Sequence, residues 1–184
     1  MIAVRNQRII GLGDKNIIDK FKNLNCDILF ASEINCWPDK NLANKFDEIH
    51  TETRYKYLNS WLYIGTVKHL KYIMQKPIEN NEDDQLYFQN RFLENLETQE
   101  IVIKLDCDNY IFQCLSGIGD TVGVLFKGIL INIDTCCCPL VVHGNGGPQD
   151  KFFFDKLFRK FESRRAYAHR TFDQREIRAR QSVL

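Results

Sequence analysis

Short apolar runs of strand length, separated by apolar stripes at helical spacing, set the tightest limit on how this chain can fold. CDILFAS (26–32), EIVIKLD (100–106), YIFQCL (110–115) and PLVVH (139–143) are too short for buried helices and are bounded by polar or turn residues. They read as buried strands. YKYLNSWLYIG (55–65) is a strand running to a glycine, and VGVLFKGILINI (122–133) is a hairpin turning at Lys127-Gly128. Between them, DKNIIDKFKNL (14–24) brings Ile17, Ile18, Phe21 and Leu24 to one helical face behind a cap at Asp14. A short helix is expected near Leu42 to Phe46. TVKHLKYIMQ (66–75) turns Val67, Leu70, Ile73 and Met74 inward, and Gln85 to Leu96 forms a longer amphipathic helix. Phe154, Leu157, Phe158 and Phe161 recur at helical spacing near the end. Helices alternating with buried strands, followed by a cluster of strands, define an α/β domain with a mixed sheet.

The chain's 184 residues are one ordinary domain with room for a real core, and 44% hydrophobic with 27% charged residues is a globular composition. No stretch approaches the roughly 20 apolar residues that span a bilayer. No apolar run of signal-peptide length precedes the first charges, so no membrane span or secretory address is expected. Charge is unevenly spread. Residues 156–184 hold nine Lys/Arg against three Asp/Glu, a net +6, which leaves −5 for the rest of a chain whose total is +1. The division expected is a domain over 1–155 and a basic, helical tail over 156–184. A solvated charged helix is the plain reading of that tail. Nucleic-acid binding is not favoured, because only Tyr167 and Phe172 stand among the basic residues for base stacking.

Seven cysteines form no CxxC pair, and their odd number argues against a complete disulfide framework. Cys136, Cys137 and Cys138, taken as strand residues, point to alternate faces and make a poor tetrahedral set, so buried reduced thiols are expected. GLGDKN (11–16) lacks a third glycine and reads as a turn into the first helix rather than a dinucleotide loop.

Three segments carry candidate chemistry. Asp83-Asp84 lies where a helix begins. One carboxylate suffices to cap it, and the second exceeds that need and can orient or deprotonate a hydroxyl. His143 ends a strand beside Gly144, Gly146 and Gly147, where it is either a metal ligand through neutral imidazole or a polar strand end. Trp37, before Pro38, suits stacking on a sugar or packing under its own loop.

FASEINCWPDKNLA, YKYLNSWLYIG, EDDQLYFQNRFL, IKLDCDNYIFQCL and LVVHGNGGP together, in this order and spacing, resemble the glycosyltransferase domain of procollagen lysyl hydroxylases and the related collagen hydroxylysine glycosyltransferases. The most specific marks are Cys36-Trp37-Pro38, Leu58-Asn59-Ser60, Asp83-Asp84-Gln85-Leu86 and His143-Gly144-Asn145-Gly146, within roughly residues 10–150. The resemblance implies a GT-A-like fold with a mixed central sheet, a UDP-sugar donor, Mn²⁺, and transfer to hydroxylysine or galactosyl-hydroxylysine of collagen-like chains. It implies that His143 ligates Mn²⁺, that Asn59, Gly144, Asn145 and Gly146 contact the nucleotide sugar, that Asp83 and Asp84 face the transferred sugar and acceptor, and that Trp37 borders the acceptor groove.

Two departures from the family matter. Its Asp-x-x-Asp metal motif lies upstream of the segment matching RIIGLGDKNIIDKF, where this chain reads MIAVRNQ, without an acid. The N-terminal nucleotide-binding part is therefore expected to be truncated. The chain is then either completed by a complementary half, an unrecognised upstream start or a homo-oligomer, or it is a non-catalytic remnant serving as a binding module. Trp61 and Leu62 also stand where the family has glycines, and both are expected to crowd the donor pocket. The geometry expected is one sheet containing 26–32, 101–106 and 140–143, with Asp83 and His143 opening onto one cleft.

Overall fold

The structure, a computed structural model, describes residues 2–4, 14–49, 52–79, 81–125 and 128–181. Gly11 and Gly13, and the Lys127 half of the hairpin turn, lie outside the described residues. In chain order the elements are β1 (Ile2–Val4), α1 (Asp14–Asn23), β2 (Ile28–Glu33), a 3-10 turn (Lys40–Leu42) leading into α2 (Ala43–Asp47), β3 (Tyr57–Gly65), α3 (Val67–Ile73), α4 (Asp84–Thr98), β4 (Ile103–Asp106), β5 (Phe112–Cys114), β6 (Val122–Leu125), β7 (Ile129–Asn132), β8 (Val141–His143) and α5 (Pro148–Gln181).

The main sheet is mixed, in the order β1-β3-β2-β4. β2 lies at its centre, antiparallel to β3 and parallel to β4. All six residues of ILFASE are buried, as a strand covered on both faces requires. β8 does not join this sheet. It pairs in parallel with β5, with Cys114 opposite His143, and this corrects the expectation of a single sheet. The hairpin β6-β7 forms a third ladder, with Gly128 in its turn at φ 74°.

The pairing of β2 with β3 contains an irregularity with consequences for the site. The register passes from Phe30↔Tyr63 to Ala31↔Asn59, so Ser60, Trp61 and Leu62 bulge out of the β2 ladder. Strand alternation still acts within the bulge. Leu62 is fully buried in a core cluster with Ile17, Leu29, Ile64, Ile111 and Phe112, whereas Trp61 points to the other side and keeps 37% of its surface. Leu62 is thus a core residue, and the expectation that it crowds a donor pocket is corrected.

A second cluster packs α4 against the main sheet through Phe30, Phe46, Leu58, Leu70, Ile73, Phe88 and Phe92. The short α3 buries only Leu70 and Ile73. Val67 and Met74, expected inward, are exposed, as is Ile18 of α1. A third cluster gathers Tyr55, Leu115, Val122, Val124, Leu130 and Val142 under Leu157 and Phe161 of α5. α5 runs unbroken across residue 155, and Arg164 Nη1 donates to the Val124 carbonyl of β6. No described helix is long and apolar enough to cross a membrane.

All seven cysteines are free, but only Cys114 is buried, which corrects the expectation for the rest. Cys136 is exposed in the turn after β7 at φ 55°, so the triple-cysteine run is not a strand.

Candidate active site

β2 ends in a carboxylate, and Glu33 there retains only 5% of its surface. A buried acid needs hydrogen-bond donors, and three side-chain amides supply them. Asn59 Nδ2 and Gln85 Nε2 each donate to Oε1 at 2.9 Å, and Asn145 Nδ2 donates to Oε2 at 2.9 Å. Burial pushes the Glu33 carboxyl above its usual range, while the three amides pull it back down.

The donors come from three different elements. Asn59 opens the β3 bulge. Gln85 lies in the first turn of α4. Asn145 follows β8, and its Oδ1 also accepts the Leu115 and Ser116 N–H groups at 2.9 and 3.0 Å. Asn59 Nδ2 also donates to Gln85 Oε1 at 3.2 Å. Its Oδ1 accepts the Trp61 N–H at 3.1 Å and stands 3.3 Å from His143 Nδ1. Gln85 Nε2 and Gln89 Nε2 each donate to the Trp37 carbonyl at 2.8 Å. One connected polar network therefore runs from the Trp37 backbone through Gln85, Glu33 and Asn59 to His143.

This network brings most of the candidate residues together. Asp83 is the N-cap of α4, accepting the Gln85 and Leu86 N–H groups at 2.9 and 3.1 Å. Asp84 is exposed in the first helical position. Gln85, the next residue, lies two hydrogen bonds from His143 by way of Asn59. The Trp37 indole is 60% exposed above its anchored carbonyl. Trp61 packs in a tilted arrangement beside His143, with ring centroids 5.6 Å apart and planes inclined by 38°.

The glycines also have packing duties here. A Cβ on Gly144 would sit 2.8 Å from Phe154 Cγ, so this glycine admits the α5 phenylalanine beside β8. Gly146 holds φ +97° with no room beside the Asp150 carboxylate. Asp150 itself accepts the Gly147 and Gly117 N–H groups at 2.9 and 3.2 Å, so a carboxylate from the first turn of α5 closes the loop. Gly144→Ala is expected to cost roughly 1–3 kcal/mol of overpacking. Urea unfolding measures this, and Phe154→Ala in the same chain should recover part of the loss.

His143 retains 5% of its surface, and burial pulls its imidazole down to about 4. It is therefore neutral at pH 7. Because the folded value lies below the ordinary 6.5, the buried neutral ring contributes stability above pH 6.5 that is lost as pH falls towards 4. The expected loss is about 3 kcal/mol. Glu33 and Asp106, whose values burial raises, act in the opposite sense over this window. The difference between the wild-type chain and His143→Gln, measured by urea unfolding from pH 7 to 4, isolates the histidine: it should shrink with falling pH.

A neutral imidazole with a lone pair is a competent metal donor. However, no group of three His, Cys, Asp or Glu side chains that could hold an ion occurs among the described residues. One imidazole does not fit a hard divalent cation, which takes mainly oxygen ligands.

Glu33, Gln85 and Gln89 are the site residues that the sequence reading did not single out. Their signals were a charged end on a largely apolar strand, ILFASE, and a glutamine pair at i, i+4 among the aromatics of DQLYFQNRF.

A mixed α/β domain carrying a carboxylate–amide–imidazole network at the strand ends, with exposed indoles at its edge, is compatible with a glycosyltransferase domain. The chain belongs to the PLOD GT domain family, whose profile matches residues 7–164. It is 37% identical over 135 residues to the procollagen-lysine,2-oxoglutarate 5-dioxygenase of Drosophila melanogaster, covering 71% of this chain and 19% of that protein. It is 34% identical over 138 residues to the human procollagen-lysine,2-oxoglutarate 5-dioxygenase 2, covering 73% and 18%. It is 35% identical over 124 residues to the multifunctional procollagen lysine hydroxylase and glycosyltransferase of Caenorhabditis elegans, covering 65% and 17%. The chain thus spans about a fifth of the length of these relatives.

Proposed function

We propose that this chain is a GT-A-like glycosyltransferase domain that transfers glucose or galactose from a UDP-sugar to hydroxylysine or galactosyl-hydroxylysine of collagen-like chains. The observation carrying the reading is the Glu33 network. It draws Glu33, Asn59, Gln85 and Asn145 from four family-marked segments into one buried cluster and ends on His143. In this reading His143 would be one donor to Mn²⁺, with oxygen donors from outside the described residues, and the ion would supply positive charge against the UDP leaving group. Glu33 and its three amides hold the site's shape. Asp83 fixes the start of α4. Asp84, exposed beside it, accepts the proton of the acceptor hydroxyl, and the Trp37 indole stacks on the acceptor.

A second reading, a non-catalytic binding module, is favoured by the solitary imidazole donor. The test that separates them is sugar transfer. Supplied alone with Mn²⁺, UDP-glucose or UDP-galactose and a hydroxylysine peptide, the chain is expected to give no transfer above background. Mixed with a complementary chain bearing an Asp-x-x-Asp segment, it should transfer. Silence of the mixture, with the peptide still bound by the chain, would establish the binding module instead.

A further inference from the structure

Resting on the reading of His143 as a metal-facing imidazole, we propose that Asn59 is a positioning residue that sets the tautomer of His143. It holds the ring proton on Nδ1 and leaves the lone pair on Nε2.

The argument runs from groups whose hydrogen-bond roles are fixed to groups whose roles are not. The backbone N–H of Trp61 can only donate, and it points at Asn59 Oδ1 at 3.1 Å. On the other side, Glu33 Oε1 lies 2.9 Å from Asn59 Nδ2, and Gln85 Oε1 lies 3.2 Å from it. Gln85 is itself fixed, because its Nε2 donates to both Glu33 Oε1 and the Trp37 carbonyl. Turning the Asn59 amide over would set N–H against N–H at Trp61 and oxygen against oxygen at both Glu33 and Gln85. Only one orientation satisfies all three neighbours, and it presents Oδ1, an acceptor, to the histidine. His143 Nδ1, 3.3 Å away, must then carry the proton. Nε2 has no hydrogen-bond partner among the described residues and keeps its lone pair.

This is the arrangement in which metal-binding imidazoles are held: one ring nitrogen donates to a protein acceptor so that the other is free and aimed. The Trp61 ring lies tilted beside the imidazole, and the Trp61 backbone N–H fixes the amide. The reversed tautomer would set the Nδ1 lone pair against Asn59 Oδ1, and such mismatches disfavour a state by at least about tenfold. Neutral imidazole in water prefers the proton on Nε2, so the site is expected to invert the solution preference.

The test reads the tautomer directly, without metal or substrate. Long-range ¹H–¹⁵N correlation spectra of the uniformly ¹⁵N-labelled 184-residue chain at pH 7 give the protonation of each ring nitrogen of its four histidines. The His143→Gln chain assigns the His143 signals by their loss. The expected result is a pyrrole-type Nδ1 and a pyridine-type Nε2 in at least about tenfold excess. A pyridine-type Nδ1, or an averaged mixture, overturns the proposal. In Asn59→Leu, which keeps the shape and removes the acceptor, the Nε2–H form should become the major species. A folded Asn59→Leu chain that remains Nδ1–H would remove Asn59 as the cause, and if that variant does not fold the wild-type spectrum still decides. Titration with Mn²⁺ is a separate arm. Absence of paramagnetic broadening at His143 would count against metal binding by the chain alone while leaving the tautomer assignment standing.

Discussion

In the completed reaction, His143→Ala and Asp84→Ala are each expected to lower sugar transfer by at least about a hundredfold. The physical grounds differ. His143 is the sole imidazole in the Glu33 network among the described residues, and under the proposed reading its substitution removes a metal donor. Asp84 is the member of the acid pair that the helix cap does not use, since Asp83 alone accepts the Gln85 and Leu86 N–H groups. Asp83→Asn should therefore retain most activity, because an asparagine side chain still caps a helix. Trp61 is the test of donor-site shape. It is the one of the two former glycine positions that faces His143, so Trp61→Gly alone should increase transfer if the indole crowds the donor. Steady-state transfer measured for these four chains, with folding verified by circular dichroism, checks all of these outcomes. An unaltered rate in Asp84→Ala would remove the carboxylate from the mechanism.

Elements whose signal is local periodicity were legible in the sequence. The apolar runs became β2, β4, β5 and β8, and the stripe after Asp83-Asp84 became α4, because burial on one face imposes a pattern that survives without tertiary information. What was hidden depends on pairing. β1 is three residues long and exists as a strand only through its partner β3, so IAV carried no signal of its own. β8 joins β5 and not the main sheet because a parallel partner is chosen by the path of the chain, which composition does not record. The inward turn expected of Val67 and Met74 failed because α3, seven residues long, buries only Leu70 and Ile73. Within the site, His143, Asn59 and the acid pair lie in motifs legible in the sequence. Glu33 escaped notice although it lies in one of them, FASEINCWPDK. A lone acid at the end of an apolar strand looks like a solvated strand end until three amides are seen to converge on it. Leu62 was misjudged for a simpler reason: period-2 alternation already separates it from Trp61.

The largest loss of stability is expected at Asp106, which supports the site without touching it. Asp106 ends β4 and is almost wholly buried. Its Oδ1 accepts the Tyr110 N–H at 2.8 Å, and its Oδ2 accepts those of Ile111 and Phe112 at 2.8 and 2.7 Å. Burial pushes its carboxyl up to about 6, against these three bonds, so it is ionised at pH 7. The three N–H groups belong to the loop and first residue of β5, and no other acceptor replaces the carboxylate if it is removed. Asp106→Ala should cost about 4 kcal/mol, the sum of several buried donors left unpaired. Asp106→Asn should cost about half as much, since one oxygen still accepts while the amide N–H₂ faces backbone donors. The damage is expected to reach the active site along β5. Cys114 is the register partner of His143, and Leu115 N–H donates to the His143 carbonyl at 3.0 Å. A loosened β4–β5 turn therefore loosens the strand that aligns the histidine. Urea unfolding at pH 7 measures the stability, and the His143 ring signals measure the alignment. A loss below about 1 kcal/mol for Asp106→Ala would mean that water reaches these donors, and the turn would then not be the anchor of β5.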